Sequence, residues 1–257
     1  MRQRFGFTKM QQYEIVDSQE NLKHLLIPTR KIHHVGDIHQ ALEEYGNEIL
    51  VKPIDGLKGA DIWRIVSDGK LKLYSNDSAV TFQTKSDFDE YCSENFTSNY
   101  IAQAFIKSQT VAQNPFDVRV HVVRTSKNSI YVEPFVRMGG SKKITSNVHT
   151  GGAIMPTKWF LMDNFGDELA KRILDDLEKI ATQITILYQT RLNFLMIDLG
   201  IDIGIELKND SYILKLFEIN AYPGYIIPGK LGKVLEIAEA NLRAYHFVQS
   251  YLDEKQE

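Results

Sequence analysis

Long apolar runs, paired cysteines and a surplus of one charge are all missing from this sequence, and each absence excludes a class of protein. No stretch reaches the ~20 apolar residues that a membrane-spanning helix requires. The N-terminal Met1-Arg2-Gln3-Arg4-Phe5-Gly6 lacks the apolar core of a secretory signal. Cys92 is the sole cysteine, which excludes an intrachain disulfide and suits a reducing compartment. A net charge of −3 offers no electrostatic footprint for nucleic acid. Repeats and low-complexity tracts are also missing. What is present is a globular composition, 43% hydrophobic and 25% charged over 257 residues, enough to bury a core in one large domain or two small ones. These features predict a soluble cytoplasmic protein with neither a membrane nor a nucleic-acid partner.

Hydrophobic periodicity and turn residues predict an α+β chain with mostly antiparallel sheets and helices on their faces. Leu22, Leu25 and Leu26 predict a helix over 18–26, ended by Pro28, and a second runs from Asp37 to Tyr45, closed by Gly46. Strands follow over Glu48–Pro53, then a hairpin (Ile62–Ser67, Leu71–Tyr74) around Asp68-Gly69, a helix over Ser86–Asn95 and a strand over Tyr100–Ile106. Two long strands lie between Val118 and Val136. Leu169, Ile173, Leu177, Ile180, Ile184 and Leu187 repeat near 3.6 and predict a long amphipathic helix over Asp167–Gln189; a last helix covers Val234–Leu252. A boundary near 106–116 divides the chain into an N-terminal segment (1–26), a small lobe (27–106) and a larger lobe with the C-terminal helix (107–257).

Chemistry concentrates in Phe217-Glu218-Ile219-Asn220-Ala221-Tyr222-Pro223-Gly224. Strand alternation sends Glu218 and Asn220 the same way. Leu195 to Leu207 forms a second apolar strand bearing Asp198, Asp202 and Glu206, and Lys208-Asn209-Asp210-Ser211 reads as the turn between the two. Closing that hairpin sets Asp202 opposite Glu218 and Asn220, two carboxylates and an amide that suit Mg²⁺ held by few protein ligands plus phosphate. An edge strand with its acids in water is the alternative. Lys52 lies in the apolar strand Ile49–Pro53, where a lysine calls for an anion. Gly56-Leu57-Lys58-Gly59 follows, with glycines that let backbone amides approach phosphate oxygens. It is not a P-loop, and a surface turn beside a snorkelling Lys52 would read the same. Asp117 and Arg119 share a strand face, and Arg137 ends the next strand before Gly139–Gly152. Each could equally be a surface ion pair or a loop residue. His149 reads as a solvated loop histidine, and Trp63 and Trp159 as core or rim packing.

In this order, the strand lysine, the Gly-rich turn, the Gln103 strand, the Asp-x-Arg strand and the Glu-x-Asn-x-x-Pro-Gly ending resemble an ATP-grasp enzyme over roughly residues 10–230. Asp117–Arg119 and Ser146–Gly152 are similar to segments of the ribosomal-protein glutamate ligases. Ile27-Pro28-Thr29, Lys52-Pro53, Pro115-Phe116-Asp117-Val118-Arg119 and Gly200-Ile201-Asp202-Ile203-Gly204 bring the resemblance nearer to the YheC/YheD branch of spore-coat-associated proteins. The resemblance implies an ATP-grasp fold whose two lobes enclose Mg-ATP. Lys52 would bind the α- and β-phosphates, and Gly56, Lys58 and Gly59 would belong to a flap over them. Gln103 would face the adenine amino group, with the backbone at Ala104 to Ile106 lining its slot. Asp202, Glu218 and Asn220 would hold Mg²⁺, and Arg119, Arg137 and Asn147 would sit at the transferring phosphate.

The family's usual reaction is ADP-forming activation of a carboxylate, then its capture by an amine or thiol. A non-catalytic ATP-binding or assembly protein, or transfer of phosphate to a hydroxyl or histidine, would use the same face. The departures from the family pattern are specific. Gln12, with Lys9 displaced, stands where a further phosphate-contacting lysine is common. The 16 positions from Asp202 to Glu218 imply a longer turn within Glu206–Lys215. Only 51 residues precede Lys52, too few for a full additional N-terminal domain. The first ~16 of them look poorly suited to a core. An acceptor side open to a peptide or protein substrate, or closed by a second copy in a homodimer, is the corresponding expectation.

Overall fold

Two antiparallel sheets organise the residues that the computed structural model describes: 7–55, 61–96, 99–140, 143–146, 152–192, 195–220 and 234–253. The first sheet has the order β1 (Thr29–Lys31), β6 (Tyr100–Ala104), β2 (Glu48–Pro53), β3 (Trp63–Ser67), β4 (Leu71–Tyr74), β5 (Ala79–Thr81). Ile49 and Val51 of β2 point to one face and pack with Ile38, Ala41 and Leu42 of α2 (Val35–Tyr45) and Phe88 and Cys92 of α3 (Lys85–Asn95). Alternation therefore turns Lys52 to the other face. Gly46 ends α2 at φ 89°, and Thr84 caps α3 by accepting from the Asp87 amide at 3.1 Å.

The second sheet has the order β11 (Ser211–Asn220), β10 (Asp198–Lys208), β7 (Phe116–Arg124), β8 (Ile130–Met138), β9 (Ala153–Pro156). Val118, Val120 and Val122 of β7 and Leu199, Ile201 and Ile203 of β10 join α5 (Asp167–Arg191) in the larger core. α4 (Thr157–Phe165) extends this layer. On the opposite face, Ala240 and Ala244 of α6 (Val234–Asp253) pack on Val123. The described helices include none long and apolar enough to cross a membrane.

The predicted helix at 18–26 is instead a 3-10 turn (Glu20–Leu25), preceded by a helix, α1 (Lys9–Asp17). Ile15, Val16, Leu22 and Leu25 all enter the larger core, so this early segment, expected to suit a core poorly, is part of one. The β10–β11 turn is two residues, Asn209-Asp210, with Asn209 at φ 53°. No longer turn absorbs the spacing from Asp202 to Glu218. The surplus residue is Phe217, at a β-bulge between the pairs Asp202–Glu218 and Ile203–Leu216. Its ring lies over Gly204, where any Cβ would collide with it. Trp159 is 72% exposed, outside any core, whereas Trp63 packs against the smaller core.

Candidate functional site

The face of the second sheet opposite its core bears a row of charges set by register. Asp117 of β7 pairs with Arg137 of β8; Arg119 of β7 pairs with Asp202 of β10; Asp202 pairs in turn with Glu218 of β11. Arg119 grips Asp202 with two donors, Nε to Oδ1 and Nη2 to Oδ2, the latter at 2.9 Å. Arg137 donates to Asp117 through Nε (2.7 Å) and Nη2 (2.8 Å), and the same Nη2 lies 2.9 Å from Asp202 Oδ2. Bidentate guanidinium–carboxylate geometry is the favourable form of such pairs. Burial alone would lift the Asp202 pKa, but Arg119 and Arg137 outweigh it and hold this carboxylate below the usual range. Burial likewise works against the Arg137 charge, and Asp117 and Asp202 more than restore it.

Across from this row stands Lys52, nearly buried, its ammonium donating to Gln103 Oε1 at 2.7 Å. Burial, with the nearby Lys9 charge, lowers its pKa to about 8 against the opposing pull of Glu218. Gln103 is 1% exposed, and both its N–H groups are committed, one to the Tyr13 hydroxyl and one to Thr29 Oγ1 (2.8 Å). In this arrangement the amide ties the lysine to Tyr13 and Thr29. Ala104 and Phe105 donate their backbone N–H groups to the carbonyls of Pro28 and Glu48, and the Ile106 carbonyl accepts from Ser108 where the chain leaves the first sheet.

Sequence reasoning brought Lys9 and Gln12 to this site but missed the helix α1 that carries them, and Tyr13 with it. Tyr13 joins the sheets, bonded to Gln103 of β6 and to the Leu216 carbonyl of β11 (3.3 Å). Gln12 exchanges two 2.8 Å hydrogen bonds with the Ile219 backbone, so it locks β11 and does not stand in for a lysine. Lys9 is the cation here, 3.4 Å from Glu218 Oε1. The signal available was Thr8-x-x-Gln11, whose side chains form a reciprocal capping box at the start of α1.

The donor set fits Mg²⁺ in part. Asp202 and Glu218 face one another and both offer oxygens, but Asp202 is already balanced by two guanidiniums. Asn220 turns its amide nitrogen toward Asp202, at 3.4 Å. Glu218, partly exposed and paired with the buried Lys9, is the carboxylate less committed to arginine. Among the described residues no group of three or more His, Cys, Asp or Glu converges. Few protein ligands completed by phosphate oxygens is the mode in which Mg²⁺ is commonly held. Gly56, Lys58, Gly59 and Asn147 lie outside the described residues, as do His149, Pro223 and Gly224.

Two antiparallel sheets with a buried strand lysine on one and an acid–arginine row on the other make an ATP-grasp protein. The chain belongs to the YheC/D-like ATP-grasp family, whose model matches residues 2–247. N5-carboxyaminoimidazole ribonucleotide synthetase in its ADP complex superposes with a TM-score of 0.50 at 12% identity, over 84% of this chain and 45% of that one. The N5-carboxyaminoimidazole synthetase of Staphylococcus aureus with ADP gives 0.48 at 14% identity, over 84% and 44%. D-cycloserine synthetase DcsG gives 0.46 at 13%, over 82% and 61%. At these identities the likeness is one of fold, and this chain spans under half the length of the first two. No curated protein matches the chain.

Proposed function

We propose that the protein is an ADP-forming ligase that activates a carboxylate with ATP and passes the acyl group to an amine or thiol. The observation that supports this most is the pairing, in one ladder, of Arg119, Asp202 and Glu218, with Arg137 bound to the same Asp202, opposite the buried Lys52. A core would not call for such a set, because buried charges are costly unless they have a task or a partner.

In this reading Lys52 and Lys9 neutralise the polyphosphate, and Gln103 keeps the Lys52 ammonium aimed. The substrate carboxylate attacks the γ-phosphorus. Its new O–P bond forms as the β–γ bridging O–P bond breaks, and ADP leaves. Arg119 and Arg137, already oriented by Asp202 and Asp117, meet the charge on the transferring group without reorganising. Asp202, Glu218 and Asn220 would hold Mg²⁺, which supplies further charge neutralisation on the phosphates. The amine or thiol then attacks the acyl carbon, gives up a proton, and displaces inorganic phosphate.

Mg-ATP at ~100 times its Kd should add about 2.7 kcal/mol to the stability of the protein. Thermal unfolding with ATP plus Mg²⁺ against ATP plus EDTA reads this directly, and identical midpoints at millimolar ATP would remove the nucleotide site. ADP release across amino acids, short peptides and thiols, with sedimentation of the same sample, then assigns the acceptor class and shows whether two copies share it.

Affinity should also depend on pH in a defined direction. Free Lys52 loses its proton near pH 8, and a bound phosphate favours the charged form. Above that pH, binding must take up a proton, so Kd should rise by up to about tenfold per pH unit, whereas below it this lysine contributes no pH dependence. Calorimetry in two buffers of different ionisation heat detects the uptake. A Kd flat from about pH 7 to about pH 9 would contradict the assignment of Lys52 to the phosphates.

A second reading is an ATP-binding protein without turnover. What favours it is the Asp202 carboxylate, whose oxygens are engaged by both arginines. ATP-dependent stabilisation without ADP formation over the whole acceptor panel would select it.

A further inference from the structure

The two sheets meet again at the tip of the β4–β5 hairpin. Its turn is held by Ser75 Oγ, which accepts from the amides of Asp77 (3.2 Å) and Ser78 (3.0 Å). From that turn the Asn76 side chain crosses to the segment 143–146 that follows β8. Asn76 Oδ1 accepts two successive amides, those of Ile144 at 3.0 Å and Thr145 at 3.2 Å, while Nδ2 donates to Thr145 Oγ1 at 3.0 Å. Lys143 Nζ returns the contact, donating to the Asn76 carbonyl at 3.0 Å and pairing with Asp77 Oδ1 at 2.9 Å. Beneath the segment lies Gly139, buried, where a Cβ would collide with the Thr145 carbonyl. One residue beyond Thr145, Ser146 Oγ donates to Asp117 Oδ2, the carboxylate that holds Arg137.

We propose that Asn76 is a latch between the sheets and a positioning residue for Arg137. It reaches the guanidinium through Thr145, Ser146 and Asp117, so the small sheet sets the geometry of a charge on the large one. A carboxamide suits this task, since its oxygen satisfies two consecutive backbone donors while its nitrogen binds the hydroxyl beside them. The benefit to catalysis rests on the function proposed above; the latch does not.

Amide hydrogen exchange on the full chain, without ligand, tests the latch. In Asn76→Ala the amides of Ile144 and Thr145 should exchange about tenfold faster, because both lose their acceptor. Asn76→Asp keeps the acceptor oxygens, so the protection should stay within about twofold of the parent. Gly139→Ala, which lifts the segment from below, should match Asn76→Ala. Unchanged exchange in Asn76→Ala, or exchange in Asn76→Asp as fast as in Asn76→Ala, overturns the latch. With an accepted carboxylate, Asn76→Ala should lower kcat about tenfold, and Asn76→Asp should restore it. Lost protection with kcat intact overturns the positioning role. A parent protein that forms no ADP counts against the proposed function and leaves the exchange result to stand by itself.

Discussion

Glu218→Ala should cut ADP formation by about 10²–10³-fold, the cost of removing one preorganised charge from a transferring phosphoryl group. Its effect on folding should be smaller than its effect on rate. The Glu218 side chain is 31% exposed, and its partner Lys9, 3.4 Å away, is buried. Breaking a pair with one exposed member costs less than the about 3–5 kcal/mol of a fully buried one. Initial rates of ADP release, measured beside the urea midpoint, separate the two effects. A variant with near-parental rates would take Glu218 out of the chemistry. One whose midpoint collapses would make this carboxylate structural.

Asp202→Ala should behave in the opposite way. Asp202 is 4% exposed and engages both Arg119 and Arg137. Its loss removes the carboxylate that both guanidiniums contact, leaving Asp117 bonded to Arg137 and no such bond for Arg119 among the described residues. Breaking a buried pair from one side costs about 3–5 kcal/mol, because the remaining charge is neither solvated nor paired. A large drop in the urea midpoint is therefore expected, with Asp202→Asn losing less because it keeps an acceptor. The pH dependence follows from the depressed Asp202 pKa. Stability from this carboxylate is fully present above its unfolded pKa of about 4 and is lost as pH falls through the lower folded value. Asp202→Ala should flatten that part of the acid limb. Equal urea midpoints for the parent and Asp202→Ala would mean that the arginines find other partners.

The parts of this molecule legible in its sequence are those where one period dominates. β2, with apolar residues alternating around Lys52, and α5, with its 3.6-residue repeat, stand within a residue or two of their expected bounds. The turn residues Asn209-Asp210 mark the hairpin, but the facing of Asp202 and Glu218 needs the Phe217 bulge as well, which alternation alone does not reveal. α1 was hidden for a physical reason. It buries Lys9, Gln12 and Tyr13, whose partners are backbone and charge on another strand, so no apolar stripe marks its inner face. The short strands β1, β5 and β9 have three or four residues each, too few for alternation to register. Residue types alone gave Arg119 and Arg137. That both converge on one carboxylate depends on β7 lying between β8 and β10, which no local pattern encodes. The strand of Gln103 alone gives no sign of Tyr13 and Thr29 on either side of its amide.

Phe217 has a meaning beyond its ring. Leu214 and Leu216 point into the core, and by simple counting Glu218 and Asn220 would follow them inward. The extra residue resets the parity of the strand, so Ile219 takes the inward position and the polar pair emerges on the functional side. The hydrophobic half of β11 and its chemical half are thus written in different reading frames, joined at a single splice. Gly204 is the blank space opposite that makes the splice possible. Substitution at Phe217 preserves both frames. Flattening the bulge with Phe217 still in the strand would merge them, sending two polar groups toward α5 and an isoleucine toward the arginines, whereas deleting Phe217 would leave Leu216 and Glu218 as successive rungs of one regular ladder.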